Sequence, residues 1–223
     1  MYLVPELTCY PEFLLTDDRT VWEAAYQRRR QLFGGMAPSI EDLPENARVL
    51  ELGCGNGKNT KMLLRQGYDV VALDFSRAAI SAASSCLPTA GQGHAVLADA
   101  RALPLRSGTC DMVTARHIIG HMTRAGREQI AWEIGRVLKG GGTLHFSAFS
   151  RNDFRYGQGL GVEEDTFLRG NGISTHYFSD DEVSELFSSL TCRSLTSQKW
   201  SLRVRGREYE RAEVHAIFCR TVP

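Results

Sequence analysis

A glycine-rich turn between a strand and a helix constrains this chain more than any other feature. Val49–Leu52 is a short apolar run that predicts a buried strand, and Gly53, Gly55 and Gly57 follow it. Lys58–Gln66 then has the pattern of a helix. Glycine lets a backbone approach a ligand closely, and the first turn of a helix offers free N–H groups. The stretch therefore predicts a cradle for a nucleotide-like ligand.

The glycine spacing separates this turn from two other nucleotide cradles. A phosphate-binding P-loop would need glycine in place of Leu52 and Ser or Thr in place of Asn59. A dinucleotide fingerprint, Gly-x-Gly-x-x-Gly, would need its third glycine at Lys58, one residue after Gly57. What remains is the pattern Glu-x-Gly-x-Gly-x-Gly. Taken alone, this stretch leaves a glycine turn without a ligand as an alternative.

Strand and helix patterns alternate along the rest of the chain. Further strands are predicted over Asp69–Leu73, His94–Ala98, Asp111–Ala115, Thr143–Phe149, about 192–200 and about 212–219. Helices are predicted over Ser76–Cys86, Arg124–Leu138 and Asp180–Leu190. Alternation through five strands followed by a hairpin predicts one α/β domain over residues 1–223. Its sheet is expected to be Rossmann-like, doubly wound and seven-stranded, and parallel except for one strand of the C-terminal hairpin.

Residues 1–44 precede this alternation and predict an extended arm followed by a helix over Asp17–Phe33. Trp22 and Tyr26 share one face of that helix. The face either packs on the core or closes a ligand pocket, and the spacing does not decide between the two.

Residues 150–178 interrupt the alternation and show no strong period. They mix charged and aromatic side chains, and a structureless segment of this length is more often a functional lid than a connector. We therefore expect a lid, with Arg151, Tyr156 and Arg169 as candidates for substrate contact, together with Trp22 and Tyr26.

Polar residues follow each central strand, at the edge of the sheet where doubly wound folds bind ligands. Asp74 can accept hydrogen bonds from two ribose hydroxyls, although it can also be a helix-start acid. Asp99 can accept from an adenine amino group, while the N–H of Ala100 donates to the ring. Arg116 and His117 follow the fourth predicted strand.

Residues 45–150 resemble class I S-adenosylmethionine-dependent methyltransferases. Besides the glycine motif, the resemblance rests on Asp99–Leu105, Cys110–Val113, His121-Met122, Glu133, Arg136–Lys139 and Gly141-Gly142. Gly140 and Cys110 depart from the usual proline and aromatic residue. A shorter similarity, over Arg169–Phe178, is to a tellurite-resistance-like branch of the family.

The resemblance implies S-adenosylmethionine as cofactor and assigns roles to residues. The expected cofactor contacts are Glu51, Gly53, Cys54, Gly55, Gly57, Asn59, Asp74, Phe75, Asp99, Ala100 and Arg116. A general base is needed only if the methyl acceptor arrives protonated. The candidates for that base are His117, His176 and Tyr177.

The composition limits the classes of partner that this chain is expected to bind. Lys plus Arg equals Asp plus Glu, at 26 each, which predicts no nucleic-acid partner and no membrane partner. The six cysteines form no C-x-x-C pair, so no metal site is expected, and no secretory leader or membrane span is recognised. Together these features predict a cytoplasmic protein; the oligomeric state is left open.

The leading hypothesis is methyl transfer to a small-molecule nucleophile, with a thiol or chalcogen favoured by the tellurite-resistance-like similarity. The alternatives are methylation of a protein side chain, an NAD-dependent dehydrogenase and a non-catalytic cofactor-binding subunit. The shifted third glycine argues against the dehydrogenase.

Overall fold

The computed structural model describes residues 18–28, 43–88 and 92–222. The strands in these ranges are β1 (Arg48–Leu52), β2 (Asp69–Asp74), β3 (His94–Leu97), β4 (Cys110–Arg116), β5 (Leu138–Phe149), β6 (Leu160–Glu163), β7 (Thr166–Leu168), β8 (Ser174–His176), β9 (Thr191–Val204) and β10 (Arg207–Cys219). The helices are α1 (Asp18–Arg28), α2 (Lys58–Arg65), α3 (Arg77–Ser84), α4 (Arg124–Val137) and α5 (Asp180–Leu186).

Seven strands form the main sheet, in the order β3-β2-β1-β4-β5-β10-β9. β10 is antiparallel to both of its neighbours, and the other neighbouring pairs are parallel. The predicted fold class is therefore confirmed. The strand order reverses between β1 and β4, and this switch point is where open α/β sheets bind ligands.

Helices cover both faces of the sheet because successive strand residues point to opposite sides. Val49 packs with Leu63 of α2 in one buried cluster. Its neighbour Leu50 belongs to a larger cluster that includes Ile134 of α4 and Phe187, next to α5. The central strands read as continuous apolar runs for this reason.

At the N-terminus part of the predicted structure lies outside the described residues, and at the C-terminus the hairpin is longer than predicted. α1 begins at Asp18 and is described to Arg28, so the predicted arm and the remainder of the Asp17–Phe33 helix lie outside the described residues. The C-terminal hairpin is longer than predicted, since β9 and β10 reach a two-residue turn at Arg205-Gly206. None of the helices in the described ranges is long and apolar enough to cross a membrane.

Residues 150–178 are not structureless, and that expectation was wrong. They contain a three-stranded antiparallel sheet in the order β6-β7-β8. The Tyr156 ring stands edge-on to both Phe167 and Tyr177, with centroids 5.3 and 5.7 Å apart. These strands are too short to show the long alternation of apolar and polar residues from which a strand is predicted.

A buried carboxylate fixes the loop that follows β3. Glu133 of α4 accepts from the backbone N–H of Leu103 (2.6 Å) and from Nε of Arg136 (2.6 Å). Arg136 in turn donates through Nη1 to the Leu105 carbonyl (2.7 Å). This arrangement holds the segment after Asp99 against α4.

We expect Glu133→Ala to lower the free energy of unfolding by about 3 kcal/mol, because it leaves the N–H of Leu103 and the Arg136 guanidinium without their acceptor. Chemical denaturation would measure the loss. Glu128→Ala on the same helix is the control, since the Glu128 side chain is 61% exposed and its pair with Arg124 should contribute at most about 0.5 kcal/mol. Equal losses in the two variants would contradict the role given to Glu133.

Candidate functional site

One large cavity lies at the carboxyl ends of β1, β2 and β4 and extends to the C-terminal hairpin. Its volume is about 1480 Å³. The residues lining it include Trp22, Tyr26, Gly53, Cys54, Gly55, Asn59, Asp74, Phe75, Asp99, Ala100, Arg116, His117, Phe149, Arg155, Trp200, Arg211, Glu213 and His215. Cavities for a single small ligand usually measure roughly 300–1,000 Å³. This cavity can therefore hold two ligands side by side.

The glycine turn after β1 forms the floor of one end of the cavity. Gly53 and Gly55 have φ of 66° and 53°, a region that residues with a side chain seldom adopt. A Cβ on Gly55 would stand 2.6 Å from Oη of Tyr26, and one on Gly53 would stand 3.1 Å from Cβ of Ile118. Glycine is thus required here both for the turn and for the space above it.

Asp74, at the end of β2, ties that turn to the neighbouring strand. Its side chain accepts from the backbone N–H of Gly55 (3.0 Å) and of Ser76 (2.9 Å). Burial raises the pKa of the Asp74 carboxyl, and Asp74 is only 4% exposed. A carboxylate has about four acceptor positions, and the backbone N–H of Phe75 also hydrogen-bonds this one, so capacity for a ligand hydroxyl remains. Ser76 caps α3 itself, and Asp74 is therefore not needed as its cap.

Glu51 lies beneath the glycine turn and is buried. It accepts from Oγ1 of Thr60 (2.5 Å), and the Asn59 side chain also hydrogen-bonds it. Burial raises the pKa of Glu51 to about 7, against the opposing effect of these bonds and of the positive Arg116. Glu51 does not belong to the lining of the cavity, whereas Asn59 and Arg116 do.

Of the other residues expected to contact the cofactor, some line the cavity and one supports the packing of the helices behind it. Cys54, Phe75, Asp99 and Ala100 line the cavity, and Asp99 is paired with Arg101 (2.7 Å). Gly57 instead supports the packing of α2 on α3, because a Cβ there would stand 2.9 Å from the Ala83 Cα.

Helix α1 forms a side wall. Trp22 and Tyr26 both line the cavity, so their face is not simply part of the core. The Trp22 ring contacts the His121 ring edge-on at 4.8 Å, and Nδ1 of His121 lies 2.8 Å from the Ser174 carbonyl oxygen. Burial lowers the pKa of His121 to about 4, so this contact is made by a neutral imidazole at neutral pH.

A carboxylate between two histidines occupies the other end of the cavity. Oε1 of Glu213 lies 3.2 Å from Nε2 of His117, and Oε2 lies 3.2 Å from Nε2 of His215. Burial would raise the pKa of Glu213, but the two imidazoles lower it to about 2. His117 has φ of 55°, a backbone strain that commonly marks a functional position.

Sequence reasoning missed most of this end, because cross-strand register assembles it. Phe149 of β5 pairs with Glu213 of β10, which pairs with Gln198 of β9. Arg211 pairs with Trp200 in the adjacent row. The available signal was alternation, since the charged or polar residues at 211, 213 and 215 alternate with apolar residues at 212, 214 and 216.

Several sequence-predicted candidates lie away from the cavity. His176 is 2% exposed, with Nδ1 at 2.8 Å from Oγ1 of Thr166 and Nε2 at 2.7 Å from Glu182. Tyr177 is fully buried. Arg151 pairs with Asp165, and the Tyr156 hydroxyl donates to the same carboxylate. None of the predicted residues His176, Tyr177, Arg151, Tyr156 and Arg169 belongs to the cavity lining among the described residues.

Comparison with known proteins places this geometry in a family. Residues 50–146 match the family described as "Methyltransferase domain". The tRNA N(3)-cytidine methyltransferase METTL2 of Danio rerio is 27% identical over 68% of this chain and 47% of its own length. O-methyltransferase 3 of Dictyostelium discoideum is 24% identical over 75% of this chain and 41% of its own length. The chain thus spans about half the length of these curated relatives.

The relatives correct one sequence-based prediction. The balanced charge predicts no nucleic-acid partner, yet relatives over two thirds of the chain carry names that give tRNA as their substrate. The exclusion was wrong, because whole-chain charge does not report which substrate enters a cavity.

A solved structure agrees on the fold. An S-adenosylmethionine-dependent methyltransferase from Methanosarcina mazei superposes with a TM-score of 0.69 at 23% identity, covering 81% of this chain and 95% of that one. The cradle that a Cβ would fill and the free acceptor positions of Asp74 both fit a nucleoside cofactor. S-adenosylmethionine is that cofactor, and residues 50–146 of this chain match a methyltransferase domain of the S-adenosylmethionine-dependent kind.

Proposed function

We propose that this chain transfers the methyl group of S-adenosylmethionine to a small-molecule nucleophile held at the His117–Glu213 end of the cavity. The observation that carries this proposal is the extent of the cavity, which runs from the glycine turn to the C-terminal hairpin within one volume of about 1480 Å³. A cofactor at the glycine end leaves room for an acceptor beside it.

The cofactor end supplies binding groups of the right chemistry. In this proposal Asp74 accepts from the ribose hydroxyls, and Asp99 with the N–H of Ala100 holds the adenine, with Phe75 beside it. Glu51 acts from beneath the turn as a nearby negative charge, through Asn59 and the backbone. When bound, S-adenosylmethionine supplies a methyl group on a sulfonium, which leaves as a neutral thioether.

The acceptor end supplies alignment and a proton acceptor. Holding an acceptor in line with the methyl group can remove roughly 7–11 kcal/mol from a barrier. Nε2 of His117 donates to the Glu213 carboxylate at 3.2 Å, which leaves Nδ1, without a partner among the described residues, to take a proton from a hydroxyl or amine. The same carboxylate then stabilises the resulting imidazolium. The low pKa of Glu213 keeps it negative throughout the neutral range.

A nucleobase in RNA is the second candidate acceptor. The tRNA methyltransferase relatives favour it, and flat groups such as Phe149 and Trp200 in the cavity wall suit a stacked base. A protein side chain is a third candidate, supported only by the room that the cavity offers.

Labelled transfer distinguishes these candidates. The protein would be incubated with S-adenosylmethionine carrying a radioactive methyl group and with three separate fractions of a cell extract: small molecules, total tRNA and proteins. Label in the small-molecule fraction supports the proposal. Label confined to tRNA or to protein overturns the acceptor class but not methyl transfer, and no label in any fraction favours a non-catalytic binding subunit.

For cofactor binding, we expect Asp74→Asn to weaken the affinity for S-adenosylhomocysteine by roughly 1.5–3 kcal/mol, because a charged acceptor is lost from two hydroxyls. Isothermal titration calorimetry would measure it. Asp69→Asn is the matched control, since Asp69 lies at the other end of β2 and pairs with Arg48 instead. Undiminished binding by Asp74→Asn would remove Asp74 from the cofactor site.

A proton balance tests Glu51. Its pKa of about 7 lies above its ordinary value of 4.5, so the folded state binds more protons than the unfolded state between these values. The contribution of Glu51 to the free energy of unfolding therefore falls as pH rises from 4.5 to 7. Since the cofactor brings positive ammonium and sulfonium groups, we expect its binding near pH 6.5 to lower this pKa and release a proton.

Calorimetry in two buffers of different ionisation enthalpy would detect that proton. Glu51→Gln should abolish the release, and the free energy of unfolding of this variant should rise relative to that of the parent between pH 4.5 and 7. Repetition at pH 9 is the control, because Glu51 is then already ionised in the free protein. The same release from Glu51→Gln would assign the proton to another group.

For the chemical step, we expect His117→Gln to lower kcat by about 10²–10⁴-fold while leaving cofactor affinity unchanged. His94→Gln is the control, because His94 is exposed at the start of β3, away from the cavity lining. A parental kcat in His117→Gln would show that the acceptor needs no base at this position.

A further inference from the structure

Two arginines flank one aromatic ring at the acceptor end of the cavity. Cζ of Arg155 lies 4.0 Å from the Phe149 ring centroid, and Cζ of Arg211 lies 4.6 Å from it. Arg211 is also 5.5 Å from the Trp200 ring, and the His117 ring lies 4.5 Å from that of Phe149. Planar groups therefore form the wall on which an acceptor would rest.

A buried carboxylate accepts a hydrogen bond from the Nε atom of each of the two arginines. Oδ1 of Asp153 accepts from Nε of Arg155 (2.8 Å), and Oδ2 accepts from Nε of Arg211 (2.6 Å). The Asp153 side chain is fully buried. Because Asp153 engages Nε of each arginine, it fixes both groups without occupying the Nη2 atom of Arg155.

The Nη2 atom of Arg155 provides a second, independent observation. Nη2 of Arg155 is buried, lies in a residue of the cavity lining and has no hydrogen-bond acceptor among the described residues. An unpaired charged donor is costly in a folded protein, and such exceptions call for a ligand or a functional role. Two positive guanidinium groups against one Asp153 carboxylate also leave one positive charge uncompensated.

We propose that this arginine pair binds the carboxylate of a planar aromatic acceptor, whose nucleophilic hydroxyl or amine then faces His117 and Glu213. The proposal rests on the function proposed above, since it names the class of acceptor for the same cavity. One uncompensated positive charge matches a carboxylate better than a doubly charged phosphate. The two recognition points contact opposite ends of an acceptor about one ring long, because Arg155 and His117 both approach the same Phe149 ring.

Matched acids and amides test this inference directly. Hydroxybenzoates and aminobenzoates of every ring position, and the corresponding carboxamides, would be titrated into the protein saturated with S-adenosylhomocysteine. We expect at least one acid to bind roughly tenfold or more tightly than its amide, a difference of about 1.4 kcal/mol. Arg155→Gln should remove that preference, and Arg155→Lys should restore only part of it because lysine lacks the planar fork.

Arg203→Gln is the matched control, because Arg203 is an exposed arginine on β9 that does not belong to the cavity lining. Binding of S-adenosylhomocysteine by each variant reports whether the fold and the cofactor end survive. No acid preferred over its amide, or a preference that Arg155→Gln retains, overturns the inference. If the parent protein does not bind S-adenosylhomocysteine at all, the proposed function itself is overturned. The two failures are therefore distinguishable.

Discussion

The hydrogen bond from the Gly55 N–H to the Asp74 carboxylate is the contact on which the rest of the site depends. It joins the turn after β1 to the end of β2, across the parallel pairing of these two strands. The same carboxylate accepts from Ser76, which caps α3. One buried acid thereby joins the cradle to the start of a helix, and in the proposed function it also accepts from the ribose.

The cofactor end could be predicted from the sequence because its residues lie next to strands in the chain. Gly53, Gly55, Asp74 and Asp99 all lie at or just after the end of a strand, and parallel strands bring such positions to one edge. Even so, the sequence pattern did not distinguish residues that line the cavity from residues that hold the turn in place. Glu51 lies beneath the turn and Gly57 packs on Ala83, since a motif records which residue types a turn needs without saying why.

The acceptor end could not be predicted in the same way. Its rows join β5, β10 and β9, whose register depends on how a long hairpin pairs with the sheet. A sequence shows that Arg211, Glu213 and His215 alternate, but not that Phe149 lies opposite Glu213. The short strands β6–β8 were missed for a related reason, because segments of three or four residues carry too few alternations to be recognised.

The two ends of the cavity also differ in how they can change. The cradle is fixed by backbone contacts and by the packing of α2 and α3, so few substitutions there preserve it. The hairpin contributes through side chains on strands of 14 and 13 residues, far longer than the five residues of β1. A substitution at one cavity-facing position of β9 or β10 changes the wall without disturbing the cradle. The acceptor can therefore differ between relatives that share a cofactor, and in the proposed function the residues that select it are Arg155, Arg211 and Glu213.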